Sequence, residues 1–134
     1  MDVLVNAAVS ADGKLSSRRR EQIAISGEAD FARVDRLRAE VDGILVGVGT
    51  ALADDPSLIR HDERHRRRRR GADAPMPARV VADSRCRTPA DADVLAGDPE
   101  TYILTSEAAP SGRRETLREA GAEVLVAGGE RVDL

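Results

Sequence analysis

An α/β fold, with a mostly parallel sheet flanked by helices, follows from three features of the sequence. Short runs of aliphatic residues recur at 3–9, 41–48, 79–84, 101–105 and 123–127. Between them lie stretches such as 28–41 and 111–120, whose apolar residues are spaced three or four apart. Several of the runs also end in Gly, Ser, Thr or Asp. Brief apolar runs bounded by such residues read as buried strands, and their alternation with helices implies parallel, right-handed βαβ connections. With 134 residues and 41% hydrophobic content, the chain suits one domain with a modest core. That core is aliphatic, since Phe31 and Tyr102 are the aromatic residues and Trp is absent.

Val3 to Val9 reads as a first strand, closed by Ser10-Ala11-Asp12-Gly13-Lys14, where Asp12-Gly13 signals a turn. Arg18 to Glu21 reads as a solvated loop and Ile23 and Ile25 as a brief extended piece. Ser26 is placed to cap a helix with Glu28 and Asp30 in its first turn, where negative charge is favoured. Phe31, Val34, Leu37 and Val41 form its expected buried stripe.

The segment 41–56 is the most informative. Ile44, Leu45, Val46 and Val48 read as a strand covered on both faces. Gly47 and Gly49 remove side chains where a ligand or another backbone comes close. Thr50 stands where a helix begins, so its hydroxyl can cap that helix or meet a phosphate or ribose. Asp54-Asp55-Pro56 stops the helix, because a residue before proline avoids helical angles. A strand exit of this kind is a ligand position in α/β domains, and is also a common structural turn.

Residues 60–77 read as a long, flexible, solvated Arg-rich loop with seven arginines between Arg60 and Arg70. Arg79 to Ser84 and Thr101 to Thr105 are further strands. Ser111 to Ala120 is a helix capped at Ser111 and stopped at Gly121, and Glu123 to Ala127 is the last strand, leading into Gly128-Gly129.

Composition excludes several classes of function. Charged residues make up 34% of the chain but nearly cancel, at −3. The Arg run carries no interleaved aromatics for base stacking and sits in an otherwise acidic chain, so nucleic acid is not an expected partner. His61 and His65 have a metal-compatible spacing, but their Arg-rich surroundings repel a cation. Cys86 is the single cysteine, which rules out an internal disulfide and a cysteine-based metal site. Arg85 and Arg87 beside it can lower a thiol pKa, yet no His partner pattern supports a catalytic thiol. The N-terminus has neither a basic lead nor a long apolar segment, so a cytoplasmic protein with no membrane partner is expected. Gly47-Val48-Gly49 lacks the third glycine of a dinucleotide fingerprint, because Leu52 occupies that place. Arg38, beside Leu37 and near Val41, either snorkels at the edge of the helix stripe or presents a fork to a phosphate.

Taken together, the pieces resemble one family. Asn6 to Leu15, Ile25-Ser26, Leu37-Arg38-Ala39, Val41 to Gly47, Gly49-Thr50, Asp54 to Leu58, Arg79 to Ser84 and Arg87-Thr88-Pro89 stand in the family's order. The chain resembles the riboflavin-biosynthesis reductases, specifically the archaeal 2,5-diamino-6-ribosylamino-4(3H)-pyrimidinone 5′-phosphate reductases. The resemblance implies a dihydrofolate-reductase-like fold, a homodimer, and use of NADPH (NADH in some members) to reduce a ribosyl group to ribityl. It implies that Ala8, Thr50, Asp54 and Ser84 bind the cofactor, with Gly47 and Gly49 providing room. It implies that Arg38 grips the substrate phosphate and that Leu58 and Arg60, the latter after a one-residue shift, touch the substrate. Ser10, Asp12 and Lys14 match the loop near the sugar and nicotinamide, with Asp12 or a water as proton source. Ala11 departs from the family's larger aliphatic, and the Arg-rich link is longer than usual. The family pattern also runs on beyond Leu134 to a further cofactor-phosphate loop, so the chain is expected to be a C-terminally incomplete reductase domain. The readings set against this are another dihydrofolate-reductase-like NADPH reductase and a non-catalytic nucleotide-binding module.

Overall fold

The computed structural model describes residues 1–15 and 27–134. The expected loop at Arg18 to Glu21, the extended piece at Ile23 to Ile25 and the Ser26 cap lie outside those residues. Among the described residues the order is α1 (Glu28–Glu40), β1 (Gly43–Gly47), α2 (Val48–Asp54), α3 (Glu63–Arg70), β2 (Ala78–Ala82), a 3-10 turn at Asp93–Leu95, β3 (Thr101–Thr105), α4 (Ser111–Glu119) and β4 (Glu123–Val126). The strands form one sheet in the order β1-β2-β3-β4, with every pair parallel. The expected parallel α/β architecture is therefore the one the chain adopts.

Successive strand residues face opposite sides of a sheet. The in-register row Val46, Val81, Ile103 and Val124 belongs to the core, together with Val48 and Ala51 of α2, Val94 of the 3-10 turn and Leu117 of α4. Val81 and Ile103 are completely buried, and full burial of such a side chain stabilises by about 1.5–3 kcal/mol. The opposite face carries the row Leu45, Val80 and Tyr102, with Leu104 beside Leu125. There Leu45 is 51% and Leu125 41% exposed. β1 is thus covered on one face, not both. The physical reason lies in the topology: α2, the 3-10 turn and α4 all pack into one core, which leaves the second face without a cover among the described residues. Val48, expected in the strand, opens α2 and buries its side chain from there.

Val3 to Val9 forms no strand, and Val3, Leu4, Val5 and Val9 are all exposed. Its side-chain tie is Asn6, whose Oδ1 accepts from Arg33 Nη2 at 2.8 Å. An apolar run becomes a strand only when a neighbouring edge takes up its backbone hydrogen bonds, and β1 pairs only with β2 among the described residues. The α1 stripe is also less buried than its spacing suggests: Ala39 is buried, while Phe31 is exposed. α1 packs chiefly against α3, so its apolar residues meet a small helix instead of a broad sheet.

The Arg-rich link contains α3 and is not a flexible insertion. Asp62 caps this helix, accepting from the His65 N–H at 2.8 Å. Arg66 is 3% exposed; its Nη1 donates to the carbonyls of Ala39 (3.0 Å) and Val41 (2.9 Å), and its Nε to Pro75 (2.7 Å). Carbonyls at a helix end lack partners within the helix, and this guanidinium supplies them. Arg70 adds hydrogen bonds to the Glu40 carbonyl and the Asp42 carboxylate. α3 therefore clamps the passage from α1 into β1. At α4, Pro110 holds the cap position and Ser111 is the first helical residue, without a side-chain cap bond. Gly121, at φ +97°, ends the segment as its sequence signal suggests. No helix among the described residues is long and apolar enough to cross a membrane.

Candidate functional site

β1 passes directly into α2 at Gly47, which is the helix cap residue and offers no side chain. Thr50 lies in the first turn and does not act as the cap. Thr50 and Asp54 are four apart on α2, hence on one face, and both are exposed. A Cβ built at Gly47 or Gly49 meets no protein atom within 4 Å. No neighbouring backbone explains these two glycines; they leave open room beside Thr50 and Asp54. The helix ends at Asp55, which is left-handed at φ 41°. The Asp55 Oδ1 accepts from the Asp93 N–H at 2.9 Å, tying the end of α2 to the 3-10 turn after β2.

Arg38 and Arg60 come together: Arg38 Nη1 donates to the Arg60 carbonyl at 3.4 Å, and Arg60 Nε to Asp35 Oδ2 at 2.9 Å. Arg38 is half-buried in the last turn of α1, as a side chain snorkelling at the edge of the helix stripe is. Leu58 is left-handed at φ 55° and sits in the core at 5% exposure, so only its backbone is available to a ligand. Ser10, Asp12 and Lys14 form a self-contained turn: the Ser10 hydroxyl donates to Asp12 and accepts from the Lys14 N–H at 3.1 Å. Ala8 is exposed in the unpaired N-terminal segment. Among the described residues, no hydrogen bond or ion pair joins Ala8 or this turn to α2, or joins Arg38 and Arg60 to Thr50 and Asp54.

A second region forms after β2. Asp83 is completely buried; its Oδ2 accepts from the Thr88 N–H at 2.7 Å and the Thr88 hydroxyl at 2.8 Å, while Oδ1 has no partner. This closes the loop 83–88. The Ser84 carbonyl accepts from the Ser106 hydroxyl at 2.7 Å, and the Ser84 Oγ from the Val132 N–H at 3.0 Å. Ser84, Arg85, Arg87, Glu130 and Arg131 line an open cavity of about 430 Å³. The sequence pointed to Ser84 but gave no role to Arg131. Its placement depends on a fold-back 47 residues further on, which no local pattern announces. Cys86 lies beneath, 1% exposed, and burial pushes its thiol pKa up, against the effect expected from Arg85 and Arg87. The two arginines point their charge elsewhere: each is exposed, while the thiol donates to Thr105 Oγ1 at 3.3 Å inside the core.

Comparison with known proteins then decides the family, since the RibD C-terminal domain model matches residues 2–134. The chain belongs to the RibD C-terminal domain family. This family is dihydrofolate-reductase-like, in agreement with the parallel sheet and its helices. The chain is 47% identical over 133 residues to a protein of Archaeoglobus fulgidus named 2,5-diamino-6-ribosylamino-4(3H)-pyrimidinone 5′-phosphate reductase, covering 98% of this chain and 60% of that one. It is 46% identical to the protein of the same name from Methanothermobacter thermautotrophicus, covering 98% and 57%. Against the riboflavin biosynthesis protein RibD of Actinobacillus pleuropneumoniae the identity is 36%, covering 98% and 34%. The chain thus spans about 60% of the length of its archaeal relatives.

Proposed function

We propose that residues 1–134 belong to a single reductase domain that uses NADPH to convert the ribosyl group of 2,5-diamino-6-(ribosylamino)-4(3H)-pyrimidinone 5′-phosphate to ribityl, in riboflavin biosynthesis. The observation that carries this reading is the β1 exit of a family member. There two glycines leave empty space beside a hydroxyl and a carboxylate on one exposed helix face, outside the carboxyl end of a parallel strand. The donor set suits a nicotinamide dinucleotide: Thr50, Asp54 and Ser84 offer groups for ribose hydroxyls, with Ala8, Gly47 and Gly49 giving the ligand room. The bound cofactor supplies a hydride to C1′ of the sugar. The chain's own part is binding, orientation and proton supply.

Arg38 holds the substrate phosphate, with Arg60 fixed beside it by Asp35. The backbone of Leu58 borders the same place. Ser10 and Lys14 hold the sugar side, and Asp12, which accepts from the Ser10 hydroxyl, or a water beside it supplies the proton. The assembled reductase acts as a homodimer in the cytoplasm.

The test is oxidation of reduced nicotinamide in the presence of the ribosylaminopyrimidine phosphate, compared between wild type and Arg38→Ala. Loss of a charge-assisted contact to phosphate raises KM by roughly 10-fold or more. An unchanged KM removes Arg38 from the site. Tight dinucleotide binding without turnover, both in this chain and in a chain of the relatives' full length, favours a nucleotide-binding module instead.

A further inference from the structure

We propose that the Arg-rich helix α3 is the positioning element of the substrate-phosphate site: through Asp62 and Arg70 it fixes Arg38 and Arg60, the two arginines that take the phosphate. This rests on the reading of Arg38 and Arg60 given above and adds to it residues that act through them. A run of like charge is ordinarily a solvated face. Here its contacts converge on one place, the end of α1.

Arg38 stands two residues before α1 ends at Glu40. Carbonyls at such an end have no partner within the helix, and they carry the negative pole of its dipole. α3 brings cations to them. Arg66 Nη1 donates to the carbonyls of Ala39 (3.0 Å) and Val41 (2.9 Å). Arg70 Nη1 donates to the Glu40 carbonyl at 2.8 Å, and its Nη2 pairs with Asp42. The His65 ring hydrogen-bonds the Glu40 carboxylate at 2.6 Å. Every residue from Ala39 to Asp42 is thus bound by a side chain of α3. Helix ends otherwise fray, and this one carries a side chain that must meet a ligand.

Arg60 is fixed from the opposite end of α3. Asp62 caps the helix by accepting from the His65 N–H, and its own N–H donates to the Asp35 carbonyl at 2.9 Å. Arg60, two residues earlier, donates through Nε to Asp35 Oδ2 at 2.9 Å, and its carbonyl accepts from Arg38 Nη1 at 3.4 Å. Asp35 engages only Nε, which leaves the terminal nitrogens of Arg60 for a phosphate. Arg38 enters no ion pair among the described residues, so its charge is also uncommitted. A phosphomonoester carries close to two negative charges at neutral pH, which two guanidiniums match. Ordering both side chains before the ligand arrives spares entropy that binding would otherwise cost.

Dissociation constants for ribose 5-phosphate are measured on the whole chain by NMR chemical-shift titration. The proteins are wild type, Arg38→Ala, Asp62→Ala, Asp62→Asn and Arg70→Ala, with Asp62→Ala and Arg70→Ala also combined with Arg38→Ala. Asp62 and Arg70 are partly exposed, so the variants keep the fold, which circular dichroism checks. Asp62→Ala and Arg70→Ala should each weaken binding by roughly 3- to 10-fold. Asp62→Asn should stay near wild type, since Asn caps a helix as well as Asp does. In the Arg38→Ala background neither change should have a further effect, because the arginine it positions is gone. Undiminished affinity in Asp62→Ala and Arg70→Ala overturns the proposal and leaves Arg38 in the site. Equal losses with and without Arg38 overturn it in favour of a purely structural α3. Wild type that does not bind ribose 5-phosphate, or Arg38→Ala that binds it as wild type does, removes the phosphate reading of Arg38 and this proposal together.

Discussion

Arg66 and Arg67 are adjacent in a run of five arginines, yet the structure gives them opposite roles. Arg66 is buried and donates to three backbone carbonyls in separate segments, whereas Arg67 reaches an exposed Glu63 one turn away. Arg66→Ala is expected to cost about 3 kcal/mol in a urea titration, since charged hydrogen bonds are lost and buried carbonyls stay unpaired. Arg66→Lys recovers only part, because one ammonium cannot reproduce a planar fork. Arg67→Ala should stay within about 0.5 kcal/mol of wild type, as for surface ion pairs in general. Cys86 shows the same effect of surroundings. Its neighbours in sequence are cationic, but burial raises its pKa and thins out the reactive thiolate. Alkylation of the folded chain at neutral pH should be slow relative to the same chain in denaturant; equal rates would contradict the burial.

At the scale of elements, the junction of α1 with α3 is the most pH-sensitive place identified. The Glu40 carboxyl is held below its ordinary value of 4.5, chiefly by the hydrogen bond from His65 at 2.6 Å. Asp62 is held below 3.8, chiefly by the backbone N–H of His65 that it caps. Groups depressed in the folded state contribute stability that is present above their unfolded pKa and lost as pH falls through the folded one. Stability should therefore be level above about pH 4.5 with respect to these two groups, and fall below it. In Glu40→Gln the acid-limb loss seen by thermal melting should be smaller. At the other end of the sheet, Gly128→Ala forces a Cβ against the Arg131 carbonyl at a positive φ. It should destabilise by about 1–3 kcal/mol, read by denaturant melts.

At the scale of the whole molecule, a four-stranded parallel sheet is covered on one side and presents Leu45, Tyr102, Leu104 and Leu125 on the other. Contiguous exposed apolar surface binds apolar dyes. The 134-residue chain should enhance dye fluorescence while folded, and Leu45→Lys with Leu125→Glu should reduce the signal without loss of secondary structure. Strands β2, β3 and β4, helix α4 and the glycine-rich exit of β1 were legible in the sequence. Each is announced by a local apolar run or spacing with a turn residue at its end, and β2 and the β1 exit also by residues that carry the family resemblance. Three features were not legible: the unpaired state of Val3 to Val9, the helix within the Arg run, and the joining of Arg131 to the Ser84 loop. Each depends on a partner distant in the chain: a free strand edge, the carbonyls at the end of α1, and a serine that lies 48 residues before Val132, the neighbour of Arg131 that bonds to it. The sequence by itself determined the class of fold and the family resemblance, because periodicity and motif spacing are properties of neighbours. Only the tertiary structure decided which arginines are structural and which stand free around a cavity, because a guanidinium takes its role from the carbonyls, carboxylates or solvent that the fold places around it.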